Sequence, residues 1–68
     1  MELADKQIVL RQKLRTYEAT IYDAEVECKI AERLDDDEGL EAQKQRMIRI
    51  QKALDYINEE LKKLTNGD

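Results

Sequence analysis

Apolar residues in the first half of the chain recur at alternating steps of four and three. Leu3, Gln7, Leu10, Leu14, Tyr17, Ile21, Ala24, Cys28 and Ala31 form one seam in which only Gln7 is polar and large. That alternation is the heptad signature of a helix with one apolar stripe, and it predicts helix from about residue 3 to 34. The pattern stops at Leu34-Asp35-Asp36-Asp37-Glu38-Gly39 and restarts at Leu40, Gln43, Met47, Ile50, Leu54, Ile57, Leu61 and Leu64, which predicts a second helix over about 38–65. Lys62 and Lys63 suit its negative C-terminal end, and Asn66-Gly67 is a stop signal, leaving 66–68 as a frayed tail.

The break between the seams has its own chemistry. Aspartate competes for nearby backbone groups and glycine loses most conformational entropy in a helix, so residues 35–39 oppose continuing one helix. Asp35, Asp36 and Asp37 each qualify as an N-cap, Asp35 and Glu38 have capping-box spacing, and four carboxylates suit the positive end of a following helix. The predicted fold is therefore all-α: an antiparallel hairpin of two long helices forming a single domain over 1–68, bent at about 35–39. The two seams agree with this, because Cys28/Met47, Ala24/Ile50, Ile21/Leu54, Tyr17/Ile57 and Leu10/Leu64, like Leu34/Leu40 at the bend, sum to 74 or 75. Glu2–Lys6 and Glu25–Lys29 have the spacing of helical ion pairs.

A second apolar set on the first helix does not fit inside such a hairpin. At about 100° per residue, Ile8, Ala19, Tyr22, Val26, Ile30 and Leu34 point roughly away from the main seam. Tyr22, Val26, Ile30 and Leu34 make an i,i+4 ridge whose full burial stabilises by about 6–12 kcal/mol gross. A helix that is apolar on two opposite faces is sandwiched between neighbours, so the hairpin is expected to dimerise into a four-helix bundle or coiled coil, or to form a higher oligomer. The candidate interface, with itself or with another protein, is Ile8, Tyr22, Val26, Ile30 and Leu34. Tyr17 falls on the seam and Tyr22 on the ridge, so Tyr56, near neither, is expected to be the most exposed aromatic.

Composition changes this picture mainly by exclusion. Sixty-eight residues sit where a monomeric core is marginal. With one cysteine and no histidine there is neither an internal disulfide nor the usual zinc ligand set, which leaves association as the source of further stability. Charged residues are 41% of the chain and proline is absent, the make-up of long helices. No basic-then-apolar leader opens the chain and no apolar run approaches the ~20 residues of a membrane span, so a soluble, cytoplasmic protein is expected. The net charge of −4 is concentrated in the bend: residues 1–34 hold six basic and seven acidic side chains, residues 39–68 six and five. That near-neutral balance counts against nucleic acid, whose binding normally rests on a clustered basic face.

Candidate chemistry is sparse. The acidic bend, Asp35, Asp36, Asp37 and Glu38, fails as a calcium loop: with Gly39 at the sixth position, Leu34 and Gln45 stand where carboxylates are required. Cys28 lies on the seam with no histidine to activate it and reads as a small core residue. Arg11, Lys13 and Arg15, and Lys44, Arg46, Arg49 and Lys52, are two basic clusters with few aromatics between them. No nucleophile, base and orienting group come together, so no enzyme activity, metal, cofactor or small-molecule substrate is expected.

In outline the chain is similar to the Rop family of plasmid copy-number proteins, helical hairpins that dimerise into four-helix bundles and bind paired RNA loops. The likeness is carried by the bend Leu34-Asp35-Asp36-Asp37-Glu38, which resembles that family's Leu-Asp-Ala-Asp-Glu turn, and by a core cysteine. It implies the bundle. Aligned on the bend, the positions of the family's RNA contacts become Ile8, Arg15, Ala19, Asp23 and Ile30, so the basic and aromatic pattern behind RNA binding is lost. The expected function is a small non-enzymatic protein–protein interaction module, an adaptor or regulator of the kind found in phage, plasmids and bacteria. Its partners would be a second copy of itself and another protein. An RNA- or DNA-binding bundle, or an acidic nucleic-acid mimic acting through the bend, is the alternative.

Overall fold

The computed structural model describes residues 1–66 and consists of two helices packed side by side, α1 (Leu3–Arg33) and α2 (Asp37–Thr65). The result is a thin rod, 49 × 15 × 15 Å, with a radius of gyration of 15.5 Å. A compact chain of this length has a radius near 11 Å. None of the described helices is long and apolar enough to cross a membrane.

The mirror pairing of the two seams is what holds the helices together. Ala24, Ile50 and Leu54 are buried at mid-rod, with Leu14, Tyr17, Ile21 and Met47 packed around them. Ala31 and Ile57 extend the buried line towards the bend and the open end. Cys28 Sγ lies 3.8 Å from Met47 Sδ, as the seam register requires. The buried residues of α1 are small, Ala24 and Ala31, and the core is narrow: no large side chain is fully buried.

Two seam positions depart from expectation. Leu3 is 52% exposed, because α2 ends at Thr65 and the pairs run out at Leu10/Leu64. Leu34, 71% exposed, is the C-cap of α1, where the chain has already left the helix, so it closes no layer with Leu40.

The bend is tighter than 35–39. Only residues 34–36 are non-helical, and α2 starts at Asp37. Asp35 adopts φ 54°, the left-handed conformation usually given to glycine. Its N–H donates to the Glu32 carbonyl at 3.2 Å and the Asp36 N–H to the Ala31 carbonyl at 2.9 Å, which together close α1 as a Schellman motif. Asp36 then opens α2. Its Oδ1 accepts the Gly39 N–H at 2.9 Å, and its carbonyl accepts the Leu40 N–H at 2.9 Å.

The Asp35–Glu38 capping box is therefore not formed, since Asp35 is spent on the turn and the cap falls one residue later. Gly39 is not a hinge but the third residue of α2. A Cβ there would overlap the Asp36 carboxylate that caps the helix.

Three ion pairs are formed among the described residues: Arg46–Asp23 across the helices at 3.0 Å, Lys29–Glu32 at 4.0 Å and Lys63–Glu60 at 3.4 Å. Lys29 thus reaches forward to Glu32 instead of back to Glu25, and the expected Glu2–Lys6 pair is likewise not among the three. Lys62 and Lys63 occupy the last turn of α2, as expected, and Asn66 is its C-cap. Gly67, the other half of the predicted stop, lies outside the described residues.

Candidate interaction surface

Every residue of the proposed ridge is exposed, from 38% for Val26 to 71% for Leu34, with Ile30 and Ile8 between. The hairpin offers them nothing to pack on, because α2 occupies the opposite side of α1, where Ala24 and Ala31 are buried. Tyr22 is the most exposed aromatic at 67%, ahead of Tyr56 at 60%, which reverses the sequence expectation. The structure brings Tyr22, Val26, Ile30 and Leu34 together on successive turns. Ile8 stands apart from them, fourteen residues before Tyr22 on the same face, which at 1.5 Å per residue is about 21 Å.

The ridge has polar borders. Val26, Ile30 and Leu34 line a shallow depression with Lys29, Glu32 and Arg33. On the other side Ile30 and Leu34 line a second depression with Glu27, Ala31, Asp36, Gly39 and Gln43. Asp23 flanks the apolar line, and its Oδ2 is held by Arg46 of α2. Arg46 also donates to Gln43 at 3.0 Å.

A second exposed apolar feature was not legible as a seam. Val9, Leu10, Tyr17, Ala53, Tyr56 and Ile57 line a groove of about 260 Å³ between the helices at the open end. Tyr56 sits off both heptad stripes, and only the pairing of the helices brings it beside Val9. Ile48 on the outer face of α2 is also half exposed.

The acidic bend is a structural element in its own right. Asp35 makes the turn, Asp36 caps α2, and Asp37 and Glu38 occupy its first turn, where carboxylates complement the helix dipole. All four are exposed. The basic residues do not make one stripe within a chain. Lys13 lies about 160° around α1 from Arg15, in the groove with Val9 and Tyr17, and Arg46 is engaged by Asp23.

No family model, curated protein or solved structure matches the chain.

Proposed function

We propose that this chain is a non-enzymatic protein–protein interaction module, an adaptor or regulator that works as a homo-oligomer assembled through the back of α1. The observation that carries the reading is the ridge of Tyr22, Val26, Ile30 and Leu34, apolar on four successive turns and uncovered by its own hairpin. The whole surface supports it. The chain exposes 5480 Å², where a compact monomer of its 8.0 kDa exposes about 4,450 Å². The excess of about 1,000 Å² is on the scale of the ~800 Å² that each partner contributes to a stable interface.

The core inside one hairpin is thin, so association adds the burial that the chain lacks by itself. A second partner protein would then use surface left free by that assembly, with the groove at Val9 and Tyr56 as the remaining apolar feature.

The experiment is a comparison of Ile30→Glu with Glu59→Lys, which changes a charge on the outer face of α2. A carboxylate buried without a partner costs several kcal/mol. Ile30→Glu should therefore lose oligomeric mass and much of its helicity at micromolar concentration, while Glu59→Lys keeps both. If Ile30→Glu retains the wild-type mass and melting temperature, the ridge is not a self-association surface.

A further inference from the structure

We propose that the second copy docks antiparallel on α1, with the two-fold axis passing beside Ala19, so that the two α1 helices form the inner layer and each α2 stays outside. This rests on the self-association reading above and adds its geometry.

The charges on the back of α1 are placed symmetrically about Ala19. Asp5, Arg15, Asp23 and Arg33 all lie within about 50° of the line through Ala19, and all four are exposed. Arg15 and Asp23 are each four residues from Ala19, in opposite directions. Asp5 and Arg33 are each fourteen residues away, and Ile8 and Ile30 each eleven. A copy turned end for end about Ala19 therefore sets Arg15 against the partner's Asp23, Asp5 against the partner's Arg33, and Ile8 against the partner's Ile30. Every charge on the face meets its opposite. A parallel copy would instead set each of the four against its own like, which is the arrangement that charge complementarity disfavours.

Packing at the axis agrees. Ala19 is the small residue on this face, and its place at the two-fold lets the axes approach to the usual 8–10 Å. Asp23 keeps Arg46 on Oδ2 and has a second carboxylate oxygen for the partner's guanidinium. The outer face of α2 carries Glu41, Lys44, Lys52, Asp55, Glu59 and Lys63 around a single exposed Ile48 and suits water. The two apolar faces of α1 are roughly opposite one another, so the four helices lie in a row, α2·α1·α1·α2, whereas a square bundle needs both contact faces of each helix on one side.

Disulfide trapping tests this. In a Cys28→Ala background, single cysteines are placed at Ala19 or Gln12, both exposed on this face. Two Cα atoms facing across the two-fold are about 4–6 Å apart, within disulfide reach, whereas the two Gln12 positions are about 21 Å apart along the axis. Under mild oxidation Ala19→Cys should become a covalent dimer almost completely and Gln12→Cys should stay reduced. Cross-linking of both variants would show a parallel pair and overturn the proposal. Cross-linking of neither, in a chain that still sediments as a dimer, would move the interface elsewhere. A Cys28→Ala chain that sediments as a folded monomer would remove the self-association reading itself.

Discussion

Asp36 and Gly39 are fitted to each other: the Asp36 carboxylate accepts the Gly39 N–H at 2.9 Å and occupies the space that a Cβ on residue 39 would take. One side chain caps α2 because its neighbour three residues on has none. Gly39→Ala, normally worth up to about 1 kcal/mol in a helix, should therefore give no gain in stability, since it displaces a cap worth about the same. In an Asp36→Ala background the same change should stabilise by up to about 1 kcal/mol. A urea-denaturation double-mutant cycle reads this directly, and additive effects would show that the two residues are not coupled.

Asp35 holds a left-handed conformation at the negative end of α1, two unfavourable conditions in one residue. Asp35→Gly should stabilise the protein by about 1 kcal/mol and Asp35→Asn by less, while Asp35→Val should destabilise it. Chemical denaturation at constant protein concentration measures the order, and a loss of stability in Asp35→Gly would contradict the strain.

Cys28 is half-buried against Met47, on the covered side of α1. Its thiol should react slowly with a bulky reagent in native buffer and quickly in denaturant. Rapid labelling of the native protein would mean that the seam opens readily or that the register is different.

The Asp23–Arg46 bridge joins the helices through side chains that are 60% and 38% exposed. Solvent screening limits an exposed pair to about 0.2–1 kcal/mol. Beneath the second copy proposed above Asp23 is covered, so an Asp23→Asn/Arg46→Gln cycle should give a coupling above that range that changes little with added salt. A coupling within that range that shrinks with salt would mean that the pair stays exposed and that no second chain covers it.

The hairpin was legible because period and register are properties of sequence alone: Cys28 faces Met47 and Ala24 faces Ile50 wherever two heptad seams fold back on a short bend. The ridge was legible for the same reason, as Tyr22, Val26, Ile30 and Leu34 fall opposite that seam. The bend was only half legible. Three consecutive aspartates all satisfy the rules for an N-cap, and what selects Asp36 is the place where α1 closes on Ala31 and Glu32, a three-dimensional condition. Leu3 shows the same limit, because its heptad position is correct and its partner is missing. Tyr56 had no periodic signal, and Val9 becomes its neighbour only once the helices pair.

Sedimentation equilibrium of the unmodified chain across the micromolar range decides whether the back of α1 self-associates. Association through the back of α1 predicts a mass of twice the 8.0 kDa of the chain, or a higher whole multiple, at concentrations where the helices are fully formed. A fully helical species of 8.0 kDa throughout that range would contradict it.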